Sequence, residues 1–348
     1  MRFRHLIWSI LFVPNLIIGQ IGGKYTFQFL NTPHSARTTA LGSSQIATKD
    51  RDIILGLQSP SLLNPSMHRS LAINHSFHLA DISFGNAAFG LHIDKWDLST
   101  MMAINYISYG NFIRADEFAN VNGEFSGGDI AFTLGVAKKW NERISTGINL
   151  KWAQSSLDVY NSSGLGLDVG VTYENPDKNT ITTLVLRNIG AQFSSYDQSR
   201  EAFPLDIQIG TSRRLKYLPL RISFILHNLN NWNLRSDGLD DTDPIFIDQP
   251  ESESSAFGRS IDNFFHHMII NGEFLIGKNE VFRMRFGYNH QLKKELAVSA
   301  FRSLNGLSIG FGFKIKRIAF DYGFGSYHLA GGMNHISLST NLSEWNKN

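Results

Sequence analysis

The stretch VFRMRFGYN, residues 281–289, decides the fold class. Phe282, Met284, Phe286 and Tyr288 fall on one side of an extended chain, while Arg283, Arg285, Gly287 and Asn289 fall on the other. A period of two marks a strand, because successive side chains of extended backbone point to opposite faces. GLSIGFGFKI (306–315) obeys the same rule, with Leu307, Ile309, Phe311 and Phe313 opposite Ser308, Gly310, Gly312 and Lys314. RIAFDYGFG (317–325) sets Ile318, Phe320, Tyr322 and Phe324 against Ala319, Asp321 and Gly323. RISTGINLKW, GLGLDVGVTY, PLDIQIG, LPLRISFIL and HHMIINGEFLI alternate likewise, so residues 69–348 read as a train of strands, whereas TITTLVLRNIG alternates poorly.

The nature of the two faces narrows the class. A soluble sandwich turns its apolar face inward and its charges toward water. Here the polar face is also rich in glycine, which suits a confined interior better than a solvated surface. A bilayer supplies the other environment, with lipid accepting Phe, Ile, Leu and Tyr and a polar lumen accepting Arg, Asp and Gly. Only a closed barrel leaves no unpaired strand edge in lipid. The expected fold is all-β, an antiparallel transmembrane barrel of about 14 strands, with a soluble β-sandwich or periplasmic barrel as the alternative. Connection lengths agree with a barrel. Short ones at 95–97, 140–142, 175–179, 215–219, 277–280 and 316 alternate with long ones at 111–127, 154–163, 191–203 and 230–263. Outer-membrane barrels keep short turns on the periplasmic side and long loops outside. On this register both termini are periplasmic, the hairpin near Ala80 and Asp81 is the one short external connection, and KELAVSAFRSL belongs to an external loop.

The ends of the chain complete the expected organisation. MRFRH followed by LIWSILFVPNLIIG has the charged and apolar regions of a secretory signal at 1–20, with a simple hydrophobic anchor as the alternative. Losing Arg2 and Arg4 leaves 30 basic against 30 acidic residues, so the formal charge moves from +2 to zero and no basic excess remains to attract nucleic acid. There is no cysteine, which excludes disulfides, thiolate metal sites and thiol catalysis. Residues 21–68, interrupted by Pro33, Pro60 and Pro65, read as a hatch or plug folded into the lumen, or else as a disordered periplasmic arm.

Several residue groups are candidates for chemistry. GLSIG (306–310) matches the nucleophile-elbow pattern, but it continues as a straight strand, so Ser308 reads as a small lumen residue. The glycines of GLGLDVG miss the dinucleotide spacing, and no cofactor is expected. His335 and Ser337 share a strand face and form a candidate base and nucleophile. His266 and His267 are read as neighbours on a strand, pointing to opposite faces, and so without metal-ligand spacing. On the inward side, Glu273 is expected roughly opposite Arg283, with Arg285 and Asp321 joining one lumen charge network. The acidic segment 230–263 carries Trp232, Phe246 and Phe257, aromatic anchors of the kind a protein partner would use.

The sequence resembles the PorQ family of the type IX secretion system, within the wider group of barrels similar to the fatty-acid transporter FadL. The resemblance rests on GG followed by FQFLNTPHSARTTALGSSQIA, on Asp50 and Asp52, and on Asn64-Pro65-Ser66 where the family's hatch motif usually reads Asn-Pro-Ala. It continues through YGNFIRADEFANVNGEFSGGDIA, GINLKW and RFGYNH. It implies a non-enzymatic outer-membrane barrel of a cell-surface attachment complex that processes cargo and joins it to lipopolysaccharide. The barrel would anchor a PorZ-like surface protein beside a PorV-bound signal peptidase. The competing expectations are a FadL-like transporter of a hydrophobic small molecule and a lipid-modifying enzyme using His335 and Ser337.

Overall fold

The computed structural model describes residues 25–78, 81–118, 120–196, 200–234, 256–295, 304–328 and 331–345. The strands, in chain order, are β1 (Ser70–Phe77), β2 (Ser83–Ile93), β3 (Leu98–Ala115), β4 (Val121–Lys139), β5 (Ile144–Leu157), β6 (Tyr160–Asn175) and β7 (Thr180–Ser194). They continue as β8 (Asp206–Arg214), β9 (Leu220–Leu226), β10 (Met268–Ile276), β11 (Phe282–Asn289), β12 (Leu307–Ile315), β13 (Ile318–His328) and β14 (Gly331–Asn341). Each pairs antiparallel with its sequence neighbours, and β1 pairs with β14 to close a fourteen-stranded barrel. The two-residue period sets the faces as expected. In β11, Phe282, Met284 and Phe286 are exposed on the outer wall while Arg285, Gly287 and Asn289 are buried inside. The poor alternation of TITTLVLRNIG has a local cause: β6 and β7 slip register between Leu167 and Val169, opposite Asn188, whose backbone is left-handed.

The short connections are tight. Asp94–Trp96 and Pro176–Lys178 each make one 3-10 turn closed by a left-handed Asp97 or Asn179, and Lys316 takes the same conformation between β12 and β13. Asp and Asn reach that region at lower cost than other side-chain-bearing residues. Beside these turns an aromatic girdle marks the membrane interface. Trp96, Trp140, Tyr217 and Trp345 are exposed, and each lies under a cation from Lys95, Lys138, Lys216 or Arg317 at 5.2–5.6 Å.

Two of the long connections differ from expectation. Residues 111–127 are mostly a continuation of the β3–β4 hairpin, whose register runs out to Ala115 and Val121, and β5–β6 pair as far as Leu157 and Tyr160. Polar hairpin tips look like loops in sequence, because above the bilayer neither face is lipid. The effect is a lopsided barrel. The strands β3 to β7 are 14–19 residues long, whereas β8 to β14 are 7–11. The signal segment and residues 235–255 lie outside the described residues, as do 296–303 of KELAVSAFRSL. Among the described residues no helix is long and apolar enough to cross a membrane.

From Tyr25 to Met67 the chain packs against inward-facing residues around the barrel wall. Helix α1 (Ala36–Ala40) lies against β11 to β14, and helix α2 (Leu55–Gln58) with the turn Pro60–Leu62 lies against β4 to β6. Ile53, Leu55, Leu57, Leu62, Leu63 and Met67 form one apolar cluster with Ala72, Ala88, Met101, Ala103 and Ala137 of the wall, while Phe27, Phe29 and Leu30 form another with Ala131, Ala153 and Phe203. Small inward residues on the strands thus make room for large ones on the segment. At about 1.5–3 kcal/mol for each fully buried side chain, this packing is a large term holding the segment in place.

Candidate functional site

Helix α1 sits inside the barrel through its own cap. Ser35 accepts from the Thr38 N–H while the Thr38 hydroxyl oxygen accepts from the Ser35 N–H, a reciprocal capping box. The next free amide, that of Ala36, donates to Ser337 Oγ at 2.8 Å. This turn aims Arg37, which is buried, into a cluster of opposite charges. Its Nε and second guanidinium nitrogen both donate to Glu273 at 2.9 Å, and it pairs with Asp50 at 2.9 Å and Asp52 at 3.3 Å.

Glu273 is the hub. It also receives Arg285 at 3.0 Å and Arg221 at 2.8 Å. Arg285 reaches on to Asp321 at 2.5 Å, and Arg283 reaches the other oxygen of Asp321 at 3.4 Å. The cluster therefore holds four arginines (Arg37, Arg221, Arg283, Arg285) against four carboxylates (Asp50, Asp52, Glu273, Asp321). Burial opposes ionisation of both carboxyls of the inner segment, Asp50 and Asp52. At Asp50 the Arg37 guanidinium outweighs it and holds the group below the usual range, whereas at Asp52 burial prevails and pushes the group up.

Glu273, Arg283, Arg285 and Asp321 thus come together, with one correction: Glu273 is in register with Arg285, and Arg283 faces Leu275. The connection after β10 is a 3-10 turn, Lys278–Glu280, entered by a left-handed Gly277, and it shifts the pairing by two residues from the tight turn expected. Sequence reasoning also missed Arg37, Asp50, Asp52 and Arg221 as members. The signal was partial: Arg221 lies on the inward phase of LPLRISFIL, but nothing in the pattern says that residues nearly two hundred positions earlier meet it.

Asn64 and Pro65 form a local brace. Asn64 Oδ1 accepts from the Ser66 N–H, capping the turn Pro65–Met67, while Asn64 Nδ2 donates to the Asp50 carbonyl at 2.9 Å. This ties the motif to the strand of chain that carries Asp50. Ser66 contributes its hydroxyl to Asn64 Oδ1 at 2.5 Å.

A second buried pair was legible but not singled out. Lys151 and Asp168, both on inward phases of β5 and β6, pair at 2.8 Å. Lys151 also donates to Asn188 Oδ1 at 2.8 Å, and the Asn188 side chain donates to Asn31 of the inner segment.

Other candidates have different occupations. Ser308 Oγ donates to the Ala40 carbonyl at 3.0 Å, within a straight strand. His335 Nδ1 shares a hydrogen bond of 3.0 Å with Thr39 Oγ1, and Ser337 receives Ala36, so each is spoken for by α1. Trp232 is exposed and stacks on His267 at 5.0 Å, its carbonyl 3.1 Å from His267 Nε2. Phe246 lies outside the described residues, as does the side chain of Phe257. His266 is not on a strand: it ends helix α3 (Ala256–His266), and β10 starts only at Met268. The helix brings Asp262, His266 and His290 together, which the strand reading excluded.

Two cavities flank the inner segment and share no lining residue. One, of about 730 Å³, opens on the short-turn side and is lined by Arg37, Asp52, Arg283, Lys314, Asp321 and Glu344 among others. The other, of about 500 Å³, opens on the opposite side between Arg187, Asp206, Gln208, His227 and Asn289. Both are walled by polar and apolar groups in similar measure.

No protein-family model matches the sequence, and no curated protein matches it either. Solved structures do. The toluene transporter TbuX of Ralstonia pickettii superposes with a TM-score of 0.53 at 11% identity, covering 90% of this chain and 99% of that one. The monoaromatic hydrocarbon channel CymD gives 0.52 at 13%, covering 90% and 97%. The Pseudomonas putida toluene transporter TodX gives 0.50 at 10%, covering 88% and 96%. At such identities the likeness concerns the fold alone, a closed antiparallel barrel shared with these three proteins.

Proposed function

We propose that this chain is a non-enzymatic, plugged outer-membrane barrel that anchors a partner protein at the cell surface. The observation that carries the reading is the raised wall of β3 to β7. A strand crosses the hydrocarbon core in about 9–11 residues, and the short-turn ends of these strands are level, so the surplus emerges on one side. About eight extra residues at roughly 3.3 Å each lift the β3–β4 hairpin ~25 Å along its axis.

Above the lipid this hairpin presents Phe112, Ile113, Phe118 and Val121, all exposed, and the neighbouring hairpin adds Val159 and Tyr160. Arg114 pairs with Asp158 and so ties the two hairpins into one surface. Large apolar side chains exposed outside the bilayer, on both faces of a hairpin held by strand pairing, are what a protein partner would bury. The inner segment supports the same reading, because it packs against nearly every strand and separates the two cavities from one another. Following the PorQ resemblance, the partner is a PorZ-like surface protein of the type IX attachment complex, with the PorV and signal-peptidase assembly nearby. The aromatic anchors first expected on 230–263 yield the leading place to the hairpin wall.

A second reading, passage of a hydrophobic small molecule, is favoured by the fold shared with three channels, two named as toluene transporters and one as a monoaromatic hydrocarbon channel. It requires a continuous apolar path, whereas the two cavities share no lining residue and charged side chains such as Arg37, Asp52, Arg283 and Asp321 line the larger-volume one of the two. Affinity isolation from membranes separates the readings. Co-purification of a large surface protein, lost in Ile113→Asp/Phe118→Asp but kept when residues 237–255 are deleted, supports anchoring at the wall. Accelerated uptake of toluene by cells expressing the barrel, with no protein partner recovered, overturns it.

A further inference from the structure

Helices α3 and α4 (His290–Glu295) meet at the long-loop ends of β10 and β11. Asp262 and His266 are four residues apart on α3 and so share a face, and His290 opens α4 against them. One carboxylate oxygen and one nitrogen from each imidazole lie within 4.8 Å of one another. His290 Nε2 is 4.0 Å from Asp262 Oδ1, and the two imidazole rings are 5.4 Å apart. Ligands around one zinc ion, at bonds of about 2.0–2.1 Å, stand roughly 3.3 Å from each other, so closing this triad needs side-chain shifts on the order of 1 Å.

Two features beyond proximity point to a cation. His290 Nε2 is buried with no hydrogen-bond partner, so a polar atom is left uncompensated there. The other ring nitrogens are already held: His290 Nδ1 lies 2.8 Å from the Tyr288 hydroxyl, and His266 Nδ1 lies 2.8 Å from the Asp262 carbonyl. A carbonyl only accepts, so His266 Nδ1 carries the proton and the lone pair falls on its Nε2. In the tautomer whose Nδ1 donates to the Tyr288 oxygen, the His290 lone pair falls on the buried Nε2. Histidines that bind metals are oriented in this way by a partner on the second nitrogen. Asp262 Oδ1 is paired with Lys294 at 3.2 Å, an ammonium whose side chain is half exposed.

We propose that Asp262, His266 and His290 bind one divalent ion of the zinc class and thereby clip α3 to α4 beside the mouth of the barrel. Two imidazoles and one carboxylate suit zinc, nickel or copper, whereas magnesium and calcium call for oxygen donors throughout. The ion fixes the end of the long connection that α3 closes, and it leaves a position for water.

The test uses the purified full-length barrel in detergent, titrated with zinc chloride by calorimetry and with cobalt chloride by visible absorption. One ion per barrel is expected. Losing an outer partner of a metal-bound histidine costs about 10–100-fold in affinity, which sets the expectation for Tyr288→Phe, and His266→Ala and His290→Ala lose at least as much. His68→Ala, at the short-turn end, leaves binding unchanged, and heat-dependent electrophoretic mobility shows that each variant is folded. Absence of saturable binding to the unaltered barrel overturns the proposal, as does full affinity in both histidine variants.

Discussion

Replacing Glu273 by glutamine tests whether the inner segment is locked by charge. The Glu273 side chain is 1% exposed and contacts three guanidinium groups, from Arg37, Arg221 and Arg285. Four cations balance four anions in the native cluster, so the substitution leaves one uncompensated positive charge at a buried site. Breaking a buried pair by removing one partner costs about 3–5 kcal/mol. Glutamine keeps one carbonyl oxygen as an acceptor, which places Glu273→Gln near the lower end, about 3 kcal/mol. The Arg37→Met/Glu273→Gln double variant restores the balance at three against three. Its cost should fall below the sum of the single costs by about 1–3 kcal/mol, the range for directly coupled residues. Guanidinium unfolding of the barrel folded into lipid vesicles supplies the free energies, and trypsin sensitivity of the inner segment shows where the loss occurs. Additive costs in the double variant, or a Glu273→Gln barrel as stable as the parent, would refute the reasoning.

Lys151→Met should cost a similar 3–5 kcal/mol, because it strands Asp168 at zero exposure; Lys151→Met/Asp168→Asn should recover most of it in the same unfolding assay. Gly323→Val would drive a side chain into the Ala36 carbonyl, so α1 should leave its seat and become a protease target while the strands stay paired. The two carboxyls of the inner segment should respond with opposite signs. Asp50, held below its usual range, contributes stability that is complete above its ordinary value near pH 4 and lost as pH falls through the lower folded value; Asp50→Asn is therefore destabilising at pH 7. Asp52 is pushed up, so its charged form opposes folding once pH rises past the ordinary value, and Asp52→Asn should be neutral or stabilising when unfolding is compared at pH 7.

Much of the barrel was legible because a bilayer and a polar lumen impose opposite demands on alternate residues. Phe282, Met284 and Phe286 could be assigned to lipid without knowing their neighbours. Alternation does not report register, however, and register decides which charges meet. Glu273 opposite Arg285 instead of Arg283 depends on the five residues of turn backbone from Gly277 to Val281. Nor does alternation separate a loop from a hairpin that has left the membrane, which is why ADEFANVNGE read as a loop. The histidine cluster was hidden for a different reason. HHMII begins apolar enough to be taken for strand, yet His266 belongs to the preceding helix, and only the α3–α4 contact brings His290 to it.

The glycines on the inward face bear on whether such a lumen is built to stay filled. Glycine weakens a strand, since it adds backbone entropy to the unfolded chain and has no side chain to pack. An open water-filled pore gains nothing from this, because serine, threonine or asparagine would serve the lumen and strengthen the strand. Here Gly287, Gly310 and Gly323 lie on three successive strands, and a Cβ on each would strike Leu41 and Gly42, Ala40 and Ala36 respectively. The wall has given up side chains along one track, and α1 and the turn after it occupy that track at backbone contact. Such a fit loses its advantage whenever the segment leaves. A barrel that opened routinely would carry the cost of the glycines in its working state, whereas a permanently plugged one carries none of it. Binding at the raised outer wall is consistent with a lumen shaped in this way.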